Sequence, residues 1–190
     1  MRKNNEIAAD MIPIRLIMSV VIVAAILLIS FFGYNYLKVI IAENNIENDC
    51  RALESKLYSM LASGTPRDVD EVDTGDGTRR HQTFNIPENI IYLSFGVDPD
   101  PDNDGALKTG ITQTGAVIFY RVQDSSKKII WLDDNFRFRE GKFYDDKWII
   151  NGLGQGFIIK EGGKIKLNFE LVEKNHNLYI LIRQTDSIDI

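Results

Sequence analysis

An uncharged, apolar stretch near the start of the chain limits its possible folds more than any other feature. The 22 residues Leu16–Leu37 carry no formal charge. A helix rises about 1.5 Å per residue, so about 20 apolar residues cross a hydrocarbon layer roughly 30 Å thick. A buried helix in a soluble core is one alternative, but such a helix rarely needs apolar residues on every face for this length. The stretch is therefore predicted to be a transmembrane helix.

A cleavable secretory signal is the competing interpretation of this stretch. The apolar region of such a signal is normally about 7–15 residues long and is followed by small residues. Here the run is longer and ends in aromatic residues, Phe31, Phe32, Tyr34 and Tyr36, which suit a membrane interface. The sequence therefore favours a retained, single-pass anchor in contact with membrane lipid.

The basic residues beside the anchor predict its orientation. Arg2, Lys3 and Arg15 precede the run, whereas Lys38 is the one basic residue that follows it closely. The positive-inside rule then places the N-terminus in the cytoplasm. Residues 1–15 are predicted to be a short cytoplasmic leader, residues 16–37 the transmembrane segment, and the C-terminal domain extracytoplasmic at the cell membrane.

After Lys38 the pattern changes from apolar on all faces to amphipathic. One helical stripe recurs at spacings of four, three, four and four residues: Ile46, Cys50, Leu53, Leu57 and Leu61. Gly64 and Pro66 supply a stop. We expect one nearly continuous helix over about residues 11–63, in which residues 38–63 continue the transmembrane helix and pack on the following domain.

The rest of the chain has the pattern of β-structure. Residues 64–83 are polar and turn-rich and are predicted to be a linker loop, and residues 84–190 a β-rich domain. Gly162-Gly163 predicts a hairpin between 157–160 and the alternating strand 165–171, and Asn151-Gly152 predicts another turn. Asn175-His176-Asn177 precedes a last strand, 178–183. Further strands are expected at 90–97, 116–123, 128–132, 135–139 and 148–150.

Together these elements predict an α+β fold. A long N-terminal helix, with a transmembrane half and an amphipathic half, is followed by a mainly antiparallel β-sheet domain. The net charge of −5 argues against nucleic acid as a partner, because phosphate binding needs a clustered basic surface. The single cysteine cannot form an internal disulfide.

The sequence gives little indication of catalysis. Cys50, His81 and His176 have no recognisable metal-ligand spacing. The glycine-rich segment 152–156 precedes a predicted strand rather than a helix and lacks the lysine of a phosphate loop. The chain is therefore predicted not to be an enzyme, with no catalytic residues and no required cofactor.

One acidic loop is a candidate metal site. Asp98, Asp100, Asp102 and Asp104 alternate before Gly105, and the part Asp100-x-Asp102-x-Asp104-Gly105 matches the first half of an EF-hand-type calcium loop. Ile111 occupies the position of the closing glutamate. The alternatives are a weak extracytoplasmic Ca²⁺ site, with a dissociation constant on the order of 10⁻⁴–10⁻³ M, and a solvated acidic loop.

This organisation resembles the type IV pilins and, among them, archaeal pilin-like proteins. The resemblance is carried by the short polar leader, by the run Ile12-Pro13-Ile14-Arg15-Leu16-Ile17-Met18 and by the helix that precedes an antiparallel β-domain. It implies that a peptidase removes the leader and that the exposed helices pack together in a filament. It also implies that an acid near the mature N-terminus, Glu6 or Asp10 here, helps to align the subunits.

Two functions follow as expectations. The first is a non-enzymatic, pilin-like structural subunit that associates with itself or with other pilin-like subunits through its N-terminal helix. The cleavage site of the family is a basic residue followed by glycine. No glycine precedes Gly33 in this chain, so that site is missing. The second expectation is therefore an uncleaved single-pass membrane protein whose extracytoplasmic β-domain binds a ligand or partner, with Ca²⁺ as one candidate.

Overall fold

The computed structural model confirms the α+β class, with one long N-terminal helix followed by a mostly antiparallel β-domain. It describes residues 4–71, 75–108, 115–132, 135–144 and 147–185. The chain divides into two compact units, Met1–Ile41 and Ala42–Ile190. We call the second unit the head.

The described residues form one helix and ten strands. The helix α1 spans Asn4–Ser63. The strands, in chain order, are β1 (Arg67–Asp68), β2 (Arg79–Ile86), β3 (Ile90–Phe95), β4 (Val117–Val122), β5 (Lys128–Trp131), β6 (Phe136–Tyr144), β7 (Lys147–Ile150), β8 (Phe157–Ile159), β9 (Gly163–Lys174) and β10 (Asn177–Gln184).

The helix ends where the sequence predicts, and a glycine explains why. The Gly64 amide donates to the Met60 carbonyl over 2.8 Å, which closes the last turn. A Cβ atom at Gly64 would lie 2.3 Å from that oxygen, so only glycine fits. The start differs from the expectation, because α1 begins at Asn4 rather than near residue 11.

The strands form two sheets. Sheet A has the order β1-β9-β10-β6-β7, and β2 also pairs with β9; sheet B has the order β5-β4-β3-β8. Two pairings are parallel, β1 with β9 and β10 with β6, and the others are antiparallel. Non-consecutive strands therefore meet in both sheets, an order that turn signals alone do not predict.

The β9–β10 hairpin confirms the turn predicted before the last strand. Lys174 pairs with Asn177, which leaves Asn175 and His176 as a two-residue loop. Both loop residues have positive φ, 50° and 60°. That conformation is the one whose twist matches a two-residue hairpin, and asparagine tolerates it well.

The two other predicted turns do not form hairpins. β8 pairs with β3 in sheet B, whereas β9 lies in sheet A. Gly162 allows a close backbone approach instead, because a Cβ there would lie 2.6 Å from the Cα of Glu88. Asn151-Gly152 likewise follows β7 of sheet A and leads to β8 of sheet B. Both glycine segments connect the sheets.

The predicted linker loop, residues 64–83, contains strand structure. β1 lies wholly within it, and β2 begins at Arg79. These residues lack an apolar alternation because polar side chains hold them: Arg67 is buried and bonds to Glu170 of β9. Gly77 packs so closely on β9 that a Cβ would lie 2.2 Å from the Leu171 carbonyl oxygen.

One main core joins the C-terminal part of α1 to both sheets. The helix contributes a stripe of side chains that are at most 4% exposed: Ala42, Ile46, Cys50, Leu53, Leu57 and Met60. Five buried phenylalanines from the sheets belong to the same core, and the Phe95 ring meets those of Phe84, Phe138 and Phe169 edge to face. The prediction that the stripe packs on the domain is confirmed, although Leu61 is only partly buried.

Candidate functional sites

The segment predicted to cross a membrane exposes its apolar side chains on all faces. From Ile14 to Leu37 the large hydrophobic side chains are 54–74% exposed. Among the residues that the structure describes, α1 is the one helix long and apolar enough to cross a membrane. Such a surface is stable only in an apolar environment supplied from outside the chain.

Aromatic side chains and a lysine mark the end of this segment. The Phe31 and Phe32 rings pack edge to face with centroids 6.0 Å apart. The Lys38 ammonium lies 4.6 Å from the Tyr34 ring centroid, one helical turn further along. Aromatic rings and a lysine side chain suit the boundary between lipid and water. The arrangement fits the end of a membrane span.

In the acidic loop, the first two aspartates are buried and already paired. The Lys127 ammonium donates to Asp98 over 2.7 Å and to the Asp100 carbonyl oxygen over 2.9 Å. The Arg121 guanidinium donates to the Asp100 carboxylate over 3.1 Å. Tyr92 is buried close by, and burial, followed by the charges of Asp98 and Asp100, raises its pKa to about 12. Two protein cations thus neutralise this part of the loop.

The other two aspartates lie at the surface. Lys108 pairs with Asp102 and lowers the pKa of that carboxyl. Asp104 accepts a hydrogen bond from the Ala106 amide over 2.8 Å. Within the described ranges, no group of three acidic, histidine or cysteine side chains is arranged to hold a metal ion. The two alternatives for Asp98, Asp100, Asp102 and Asp104, a weak Ca²⁺ site and an acidic loop without a metal, both stay predictions.

The one cysteine and the two histidines of the chain have different environments. Cys50 is fully buried in the main core, and that burial raises the pKa of its thiol. His81 lies on β2 with an exposed side chain. The His176 side chain is fully exposed in the β9–β10 turn, 3.5 Å from Glu173. A buried thiol of raised pKa is a poor nucleophile, so Cys50 is best explained by packing.

A buried ion pair anchors the outer face of sheet A, the face opposite the main core. Glu170 is almost inaccessible, and its Oε1 atom accepts hydrogen bonds from the Arg67 guanidinium at 3.0 Å and the Gly77 amide at 3.1 Å. Arg67 also donates to the Trp148 carbonyl oxygen over 2.6 Å. No local sequence pattern indicates this cluster, because its partners are about 80–100 residues apart.

Beside this ion pair the sheet carries a small cleft, which we call the arginine cleft. Its polar lining comes from Arg79, Asn168, Glu170 and Arg183, with Trp148 on one side. The Arg183 guanidinium lies 4.1 Å from the centroid of the Trp148 ring. Stacking of this kind fixes the plane of a guanidinium. The alternation Arg137-Phe138-Arg139, which places both arginines on one sheet face, was a sequence signal for this basic surface.

Comparisons with known proteins assign the chain to no family. No protein-family model, no curated protein and no solved structure matches it. The function proposed for it therefore rests on its own residues.

Proposed function

We propose that this chain is a non-enzymatic surface protein held in the cell membrane by the first part of α1. The observation that carries the proposal is the surface of that segment, where large apolar side chains are 54–74% exposed on every face. Burying such side chains in hydrocarbon gains roughly 25 cal/mol per Å² of apolar surface. A bilayer or a bundle of like helices supplies that environment.

The proposed orientation has the N-terminus in the cytoplasm and the head outside. It is supported by the three basic residues Arg2, Lys3 and Arg15 before the segment, against Lys38 close behind it. Basic residues stay on the cytoplasmic side during insertion. The acidic balance of the chain, with net charge −5, is compatible with a head that stays in solution beside the membrane.

In its specific form, the proposal is a pilin-like subunit that assembles through its N-terminal helix. The pilin-like sequence run at 12–18 supports it, as does the order of one long helix followed by a β-rich head. In a filament the apolar faces of neighbouring helices would replace lipid around each segment. Glu6 or Asp10 would then align the subunits by their charge.

The second candidate is an uncleaved membrane protein whose head binds a ligand. The missing basic-glycine site before Leu16 favours it, because a retained leader keeps the helix in lipid. The arginine cleft on sheet A is a specific feature of the head in its favour, since it offers hydrogen-bond donors on an accessible face. Both candidates share the anchor and differ in what surrounds it.

The N-terminus of protein taken from its native membranes distinguishes the two candidates. Intact mass and the terminal peptide would be measured on the membrane and shed fractions. A new start between Glu6 and Met18 supports processing and the pilin-like form. An intact start, or loss of Met1 alone, contradicts that form and leaves an anchored binding protein. An Asp10→Asn variant is a useful companion, because assembly that depends on this charge should fall while membrane retention is unchanged.

A further inference from the structure

The outer face of sheet A carries two rows of side chains that run across neighbouring strands. In the first row, His81 of β2 pairs with Asn168 of β9, which pairs with Arg183 of β10. In the second row the order is Arg79, Glu170, Leu181 and Arg139, from β2 to β6. Side chains in register on one face lie close enough to act on one ligand.

The face has more positive charge than its own acids neutralise. Among the ion pairs of the described residues, none involves Arg137, Arg139 or Arg183. The Glu170 carboxylate is already paired with Arg67 at 3.0 Å and Arg79 at 3.5 Å, and it also accepts a hydrogen bond from the Gly77 amide. Arg139 is 5% exposed, and its Nε atom has no hydrogen-bond partner in the described structure. An anion in the cleft would therefore meet Arg183, which has no ion-pair partner among the described residues.

Arg183 is held in place before any ligand arrives. Its guanidinium stacks on the Trp148 indole at 4.1 Å. The indole in turn lies on Gly141, where a Cβ atom would come within 2.6 Å of the ring. A stacked guanidinium loses little conformational freedom on binding and can meet a carboxylate with two parallel hydrogen bonds.

The size of the cleft limits what enters it. Its volume is about 20 Å³. This is room for an oxygen-bearing group such as one side of a carboxylate, while the rest of the ligand lies across the face. Arg79, which is 45% exposed, lies at the rim and pairs with Asp76 at 2.8 Å and with Glu170 at 3.5 Å.

We propose that the arginine cleft binds the carboxylate of an acidic sugar, a uronate unit of a polysaccharide. Arg183 would hold the carboxylate, while Asn168 and His81 in the same row hydrogen-bond the sugar hydroxyls. A sugar hydroxyl both donates and accepts hydrogen bonds, and the side chains of Asn168 and His81 lie in one row with Arg183, so the row suits a ligand whose hydroxyls flank a carboxylate. The proposal rests on the proposed extracytoplasmic head for where such a sugar is met, and otherwise on the head alone.

The test uses the full chain in an uncharged detergent at low ionic strength. A Trp131→Phe background leaves Trp148 as the only tryptophan, so its fluorescence reports the cleft. The probes are a galacturonate trisaccharide, the corresponding neutral galactose trisaccharide and triglutamate. We expect saturable binding of the galacturonate probe and at least about tenfold weaker binding of the other two, because each lacks one recognised group.

Variants assign the binding to the cleft. Arg183→Gln should weaken galacturonate binding about tenfold or more. Arg183→Lys keeps the positive charge but loses the two parallel hydrogen bonds of a guanidinium, so it should weaken binding less. Lys160→Gln, an exposed cation elsewhere on the head, is the charge-matched control and should bind as the parent does. Melting curves confirm that each variant is folded.

The opposite results overturn the proposal. No saturable galacturonate binding by the folded parent would exclude a uronate site, and equal binding by Arg183→Gln would exclude the cleft. Triglutamate bound as tightly as galacturonate would make an acidic peptide the ligand instead. None of these results depends on whether the leader is cleaved, so this inference and the proposed function fail separately.

Discussion

The two parts of α1 bury their apolar residues in different ways. Residues 14–37 expose large hydrophobic side chains on every face, each 54–74% accessible. From Ala42 onward, one stripe of the same helix is at most 4% exposed and packs in the main core of the head. The chain's own sheets can bury a single apolar stripe, whereas a helix that is apolar on all faces needs lipid or other helices around it. The pattern of hydrophobicity, rather than its amount, separates the anchor from the fold.

The largest expected effect comes from charging the anchor. Val23→Asp with Leu27→Asp places two carboxylates one helical turn apart in the exposed segment. Each Asp at the centre of a membrane helix costs about 2.5–3.5 kcal/mol of insertion free energy. We expect the protein to leave the membrane fraction on alkaline carbonate extraction.

The matched control charges the other part of the helix with the same spacing. Ser55 and Ser59 lie in the same part of the helix as the buried stripe, but their side chains are exposed. The double variant Ser55→Asp/Ser59→Asp should stay in the membrane fraction. If both variants left the membrane fraction, or if neither did, the claim that only residues 14–37 anchor the protein would be contradicted.

A cavity in the stripe should destabilise the head. Leu53 is 0% exposed in the main core, so Leu53→Ala should lower the free energy of unfolding by about 2–5 kcal/mol. Leu28→Ala makes the same change where the side chain is 58% exposed, and it should change head stability by less than about 0.5 kcal/mol. Thermal melts of the full chain in detergent measure both. Equal effects would contradict the comparison.

Alkaline pH should also weaken the packing of the stripe. Burial, followed by the charges of Glu47, Cys50 and Glu43, raises the pKa of Tyr120 to about 12. Because the folded state binds this proton more tightly than the unfolded state, the stabilisation is intact below about pH 10 and declines as pH rises toward 12. The loss is on the order of 1 kcal/mol at pH 11. Melts from pH 8 to 11 should decline less for Tyr120→Phe, and an unchanged decline would exclude Tyr120 as its source.

Polar contacts along the helix are expected to contribute less to the stability of the head than the buried stripe does. The Lys56 ammonium donates to the His81 carbonyl oxygen at 3.0 Å and to Gln82 at 2.6 Å. Lys56→Met should therefore cost about 1 kcal/mol of head stability. Arg51→Met removes an exposed pair with Glu47 and should cost less stability than Lys56→Met, because solvent screens the pair. If the two costs were reversed in urea titrations, the Lys56 contacts would not be holding the helix to the sheet.

Added calcium should have the smallest effect on the stability of the head. Lys127 and Arg121 already neutralise Asp98 and Asp100, so a divalent ion would have to displace both cations. We expect about 1 mM Ca²⁺, within the range of weak extracytoplasmic sites, to leave the melting temperature nearly unchanged. A rise that Asp102→Ala abolishes would instead establish calcium binding by the loop.

Local patterns predicted the helix and most strands, because period and turn chemistry depend on neighbouring residues. The helix stop at Gly64 and the turn at Asn175-His176 are both encoded within a few positions. Pairing between distant strands is not encoded in this way. β8 joins β3 rather than β9, and the linker strands β1 and β2 are held by β9.

The candidate sites likewise combine local signals, which the sequence shows, with distant partners, which it does not. The acidic alternation at 98–104 is visible in the sequence, but its neutralising partners, Arg121 and Lys127, come from 21 to 29 residues further along. The arginine cleft joins Arg79 to Arg183 through the strand order of sheet A. Such a site becomes visible only when the register of three strands is known.

Protease accessibility of the head in intact cells tests the central claim, an anchor with the head outside, most directly. The predicted result is digestion of the head by added protease in intact cells, with a membrane-embedded fragment that contains Leu16–Leu37 left behind. Digestion only after the cells are lysed would contradict the proposed orientation, and recovery of the whole chain in the soluble fraction would contradict the anchor itself.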